Sequence, residues 1–191
     1  DEVSGAFIGS YDLSDPQNIV QVDKIQSSPG KGVIPHNTHF RDNFIITSYY
    51  SDGITIHDIT NPESIILVGE YDTYPAQTSG FDGCWGVYPF FPSGKAVAAD
   101  ITKGLFILGM HYNKACYLEG NVTDAVSGQT LSNVTIQLSS AVMQEKTNQQ
   151  GFYATGTAIS GVYTVSFSKA GYYPMTVTVS LINDELITLN V

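Results

Sequence analysis

The chain has 191 residues, enough for one large or two small domains, and its 42% apolar content marks a globular rather than a disordered polypeptide. A net charge of −10 argues against nucleic-acid binding, which rests on Lys and Arg neutralising phosphates, and against adhesion to an anionic membrane surface. No apolar run is long enough to span a bilayer as a helix. The richness in Gly, Thr, Ser, Tyr and Val, without a sustained helical period, predicts an all-β protein.

Tyr11-Asp12-Leu13-Ser14-Asp15-Pro16 returns about 46 residues later as His57-Asp58-Ile59-Thr60-Asn61-Pro62, a spacing that denotes one supersecondary unit repeated. Asp and Asn cap such turns locally and Pro fixes φ, so Asp12 and Asp58 read as turn formers. Residues 18–25, 44–50 and 54–58 read as strands, with Asp52-Gly53 a tight turn between the last two. A third pass follows. Gly83-Cys84-Trp85-Gly86-Val87 stands where Pro35-His36-Asn37-Thr38-His39 stood, and Lys103-Gly104 matches Asp52-Gly53. Strand and turn alternating at this spacing is the pattern of a propeller blade, which needs neighbouring blades to bury its faces. The first residues align with the interior of a repeat. The sequence therefore predicts the last two to three blades of a partial β-propeller over residues 1–115, with the remaining blades or another chain covering an exposed blade face.

From Cys116 the pattern changes. Val134, Ile136 and Leu138 alternate with polar neighbours, as do Tyr163, Val165 and Phe167, then Met175, Val177 and Val179. Gly151, Gly161 and Gly171 are expected at turns. Residues 116–191 thus predict a small seven-stranded-type β-sandwich.

Gly120-x-Val122-x-Asp124, Gly128, Leu131, Val134-x-Ile136-x-Leu138, Gly151-Phe152-Tyr153, Gly161-x-Tyr163 and Gly171-Tyr172 resemble the carboxypeptidase regulatory-like domain. The resemblance implies a transthyretin-like sandwich with a carbohydrate-binding-like fold, an accessory module and not a peptidase. Asn148-Gln149-Gln150 departs from the acidic residues often found there, which weakens a metal role for that turn. The first segment resembles the choice-of-anchor B family with LVIVD-type repeats. The likeness is carried by the Tyr11–Pro16 and Pro35–His39 stretches, Thr47-Ser48-Tyr49-Tyr50 and Gly83-Cys84-Trp85-Gly86-Val87. That resemblance implies an extracellular or outer-membrane-surface protein of Bacteroidetes type, exported by type IX secretion, and it supplies no reaction.

His36 and His39 are the candidate ligands for a divalent metal ion, since imidazole suits zinc or copper. Residues three apart on a strand point to opposite faces, so both reach one ion only if Pro35-His36 lies in a loop. The competing expectation is structural: His36 and Asn37 hydrogen-bond a loop and His39 packs beside Tyr49. Asn37 and Trp85 are candidate ligand-binding residues. Trp85 would stack on a sugar ring or, as is commoner for Trp, fill the blade core. His57 occupies the place of Tyr11, which favours packing over chemistry. Cys84 and Cys116 form either a bridge, worth about 3–4 kcal/mol in an oxidising compartment, or two buried free thiols. No Gly-x-Ser-x-Gly, phosphate-binding Gly-rich loop, His-Glu-x-x-His or Cys-x-x-Cys is present. Together these residues favour a non-enzymatic binding or structural protein, with a glycan or surface protein as partner. The alternatives are a metal-dependent propeller using His36 and His39, or carbohydrate binding through the sandwich or Trp85.

Overall fold

The two copies of the Asp-Pro/Asn-Pro motif fold into the same link between two antiparallel strands. Asp12 Oδ1 accepts from the Ser14 amide at 2.8 Å, and Asp58 Oδ1 accepts from the Thr60 amide at 2.9 Å. Asp15 and Asn61 then accept from the Gln17 and Glu63 amides, each at 3.0 Å. Side-chain oxygens thus satisfy backbone donors that no ladder reaches, as short polar residues do at turns.

The computed structural model describes residues 2–76, 80–139, 141 and 144–191. Among these, sixteen strands and no helix are present, so the chain is all-β. It divides into two compact units, Asp1–Asn113 and Lys114–Val191.

The first unit holds three antiparallel sheets. Strands β1 (Ile8–Asp12) and β2 (Val20–Ile25) form a hairpin. β3 (Thr38–Arg41), β4 (Phe44–Ser48), β5 (Ile54–Asp58) and β6 (Ile66–Tyr71) form a four-stranded meander. β7 (Cys84–Tyr88), β8 (Lys95–Asp100) and β9 (Gly104–Gly109) form a three-stranded one.

The 46-residue repeat extends to register. Ile8 pairs with Ile25, Gly9 with Lys24 and Ser10 with Asp23; after a shift, Tyr11 pairs with Gln21 and Asp12 with Val20. Ile54 pairs with Tyr71, Thr55 with Glu70 and Ile56 with Gly69; after the same shift, His57 pairs with Leu67 and Asp58 with Ile66. Both shifts leave a valine unpaired, Val22 in β2 and Val68 in β6, as a β-bulge does.

All five residues of β4 and of β5 are buried, so the middle sheet is covered on both faces. One face, with Phe44, Ile46, Ile54 and Ile56, shares a core with Cys84, Val87, Ala96 and Ala98 of the last sheet. Toward the hairpin, Ser10 Oγ donates to the Pro62 carbonyl and Asp23 Oδ2 accepts from the Ile65 amide, both at 2.6 Å. On the last sheet, one side is left open, with Leu105 66% and Ile107 65% exposed. His57 is fully buried, in keeping with a packing role.

The second unit is a two-sheet β-sandwich. One sheet orders β13 (Phe152–Thr157), β10 (Cys116–Asn121) and β16 (Leu186–Thr188), with β16 parallel to β10. The other orders β12 (Glu145–Lys146), β11 (Thr135–Leu138), β14 (Gly161–Ser168) and β15 (Met175–Leu181). The alternation in sequence becomes the core: Leu118, Val134, Ile136, Leu138, Val165, Phe167 and Val179 meet between the sheets. Gly151 and Gly171 turn the chain with φ of 77° and 87°, whereas Gly161, expected at a turn, is the first residue of β14. Asn148 Oδ1 accepts from the Gln150 and Phe152 amides at 2.9 and 3.0 Å, so this side chain shapes its turn.

Candidate functional site

Pro35-His36-Asn37 leads into β3 and Gly83-Cys84-Trp85 opens β7, and the fold brings the two together at the ends of their sheets. The His36 amide donates to the Ser48 carbonyl and the Ser48 amide to the Asn37 carbonyl, both at 2.9 Å, which pins the loop to the end of β4. Asn37 is held further by its amide, which donates to Ser48 Oγ at 3.2 Å. Ser48 Oγ also donates to the Trp85 carbonyl at 3.2 Å.

The His36 ring is the centre of this cluster. Its Nδ1 hydrogen-bonds the Trp85 carbonyl, and its Nε2 lies 2.7 Å from the Glu2 carboxylate. Both ring nitrogens thus face oxygen acceptors. The ring stacks on Trp85 with centroids 5.4 Å apart and planes at 27°, and tilts against Tyr50 at 5.3 Å. The Tyr50 hydroxyl donates to Glu2 at 3.0 Å. Burial, then the adjoining Glu2 carboxylate, push that hydroxyl up to about 12, so it stays a protonated donor.

His39 belongs to another cluster. It sits in β3 opposite Ile46, with its ring edge-on to Phe90 at 5.6 Å and 87°. Among the described residues, no three of His, Cys, Asp and Glu gather where they would hold a metal ion. Trp85 is 53% exposed, which corrects the expectation that it fills a core. Glu2 and Tyr50, which complete the cluster, were not singled out from sequence, because nothing local links residues so far apart in the chain.

Cys84 and Cys116, expected as either a bridge or two buried thiols, are each buried and free, one in each unit. Each thiol is committed to a different hydrophobic core. Burial, then the charge of Asp100, push the Cys84 thiol up to about 12, and burial raises that of Cys116. Neither is poised as a thiolate nucleophile.

Residues 118–191 match the CarboxypepD_reg-like domain family, so the second unit carries the domain type its glycines and alternation resemble. No curated protein matches the chain. Among solved structures, the chain is similar to GBS52, the minor pilin of the gram-positive pathogen Streptococcus agalactiae. That similarity stands at 13% identity and a TM-score of 0.33, over 55% of this chain and 61% of that one. A likeness at this level carries no inference about activity.

Proposed function

We propose that the chain is a non-enzymatic binding or structural protein of the extracellular or outer-membrane surface. Residues 1–113 would be part of an LVIVD-type β-propeller whose loops present a binding surface, and the CarboxypepD_reg-like domain would act as a spacer. The observation that carries this reading is the recurrence of one hairpin, register and bulge included, at a 46-residue interval. A middle sheet buried on both faces, beside a last sheet with Leu105 and Ile107 exposed, is what stacked blades require. In a closed ring the open faces would be covered by further blades or by another chain. Electron microscopy of the native gene product tests the reading: end-on views of a closed ring support it, and a particle without a ring contradicts it.

The half-exposed Trp85 beside Glu2 and His36 favours a carbohydrate as the bound ligand, since an apolar ring face with flanking polar groups suits a sugar. Glycan-array binding that is lost in Trp85→Ala is the expected result; equal binding by the variant would assign any glycan contact elsewhere. A metal-dependent reaction is the weaker alternative, because both His36 nitrogens already have acceptors and His39 lies against Phe90.

A further inference from the structure

β15 is the outer strand of the sandwich's four-stranded sheet, and among the described residues no strand pairs with its free edge. Exposed edges are ordinarily blocked by charge, proline, bulges or brevity, because their free N–H and C=O groups template further pairing. The opposite edge of this sheet is blocked in that way: β12 has two residues, Glu145 and Lys146, both charged. β16, an edge of the facing sheet, has three residues and follows Asp184 and Glu185. β15 carries no such block. Its seven residues, Met175-Thr176-Val177-Thr178-Val179-Ser180-Leu181, pair with β14 without a bulge. No residue between Lys169 and Asp184 is charged, in a chain of net charge −10.

The strand is also close to a palindrome. Reversed about Thr178, the five residues from Thr176 to Ser180 read Ser-Val-Thr-Val-Thr, and Met175 changes places with Leu181. Two copies laid antiparallel, with Thr178 opposite Thr178, pair Val177 with Val179, Thr176 with Ser180 and Met175 with Leu181. Residues directly opposite share a face, so this register keeps core residues with core residues, which a slip of one residue would not do. It uses the whole strand and leaves Pro174, which lacks an N–H, outside the ladder. The half-buried Val177 packs at the margin of the core, and Met175, opposite Phe167, is 48% exposed. The second copy's Val179 and Leu181 would extend the core beside them. β13, the remaining edge, reads Phe152-Tyr153-Ala154-Thr155-Gly156-Thr157 and has no such symmetry.

We propose that β15 is a self-association edge, at which two copies of this chain join β15 to β15 about a twofold axis through Thr178. The two four-stranded sheets then run on as one sheet of eight. The occupant is a second copy because the edge is complementary to itself, and because it sets no charge against its own like. Seven residue pairs make a small interface, so the association is weak and depends on concentration. This inference is independent of the stacked-repeat reading of residues 1–113.

The test follows the full chain by sedimentation equilibrium, and by amide exchange in dilute and concentrated samples. A monomer–dimer equilibrium is expected by about 1 mM chain, with outward-pointing amides of residues 175–181 slowed about tenfold or more in the concentrated sample. Thr178→Lys sets two ammonium groups opposite each other and should weaken association by about tenfold or more. Thr164→Lys makes the same change at the exposed neighbour of Thr178 in β14. Its two charges lie three strand spacings apart across the dimer, about 14 Å, and should have little effect. An equimolar mixture of Thr178→Lys and Thr178→Asp should regain the dimer, since the facing charges then attract. A parent chain that stays monomeric at about 1 mM overturns the proposal. So does concentration-dependent protection that falls on β13 or outside the sandwich, or β15 protection that does not vary with concentration. Equal effects of Thr164→Lys and Thr178→Lys overturn it too, as does a Lys/Asp mixture no more associated than either variant alone.

Discussion

Tyr50 and Cys84 exchange both of their backbone hydrogen bonds, at 2.9 and 2.8 Å, in an isolated antiparallel bridge between the middle and last sheets. This clasp lies at the end where His36 meets Trp85. It depends on Gly83, which has a φ of 97° and whose Cβ would lie 2.7 Å from the Tyr50 carbonyl carbon. Gly83→Ala should therefore lower stability by about 2–4 kcal/mol in urea unfolding, the range for a strained backbone with a direct clash. Gly86→Ala, three residues on within β7, meets nothing within 4 Å and should change stability by no more than about 0.5 kcal/mol. Equal losses from the two variants would show that the clasp does not depend on this close approach.

His57 sets the acid sensitivity of the first unit. Its ring is fully buried, neither nitrogen has a hydrogen-bond partner among the described residues, and burial holds it down to about 3 from 6.5. The folded value is the lower one, so the neutral ring's contribution is complete above about pH 6.5. It is lost as pH falls toward 3, at about 1.4 kcal/mol per pH unit. Leu108 holds the matching place in β9, which makes His57→Leu the natural variant. At pH 5 this variant should lack about 2 kcal/mol of acid destabilisation that the parent chain shows relative to neutral pH. Parallel stability-against-pH curves for the two proteins would refute this assignment.

The thiols should be silent in the folded state. With Cys84 and Cys116 both buried and free, a thiol-reactive chromophore should label neither in buffer and both in denaturant. Reductant should leave the melting temperature unchanged. A drop in melting temperature on reduction, or an intact mass two hydrogens short, would establish the bridge instead.

Legibility in the sequence followed the range of the interactions. Asp12 and Asp58 act within two residues of themselves, so their turn role was readable directly, and the spacing between them matched the repeat in register. The core of the sandwich was equally plain, because alternation in β11 and β14 translates directly into burial. Trp85 was not legible. Its exposure depends on which face of β7 is covered, and its contact with His36 joins residues 49 positions apart. Likewise, His39 faces Phe90 only because the last sheet packs on the middle one. Gly161 reads as a turn residue in sequence, yet it pairs with Leu181 at the start of a long strand, which composition alone does not reveal.

Native-state amide exchange on the full chain distinguishes a stack of repeated meanders, with its middle member enclosed, from any looser arrangement of the first unit. β4 and β5, buried on both faces, should exchange slowest in that unit. They should be protected by about 2 kcal/mol or more beyond β1 and β9, neither of which has a buried residue. Equal protection across β1, β4, β5 and β9 would contradict it.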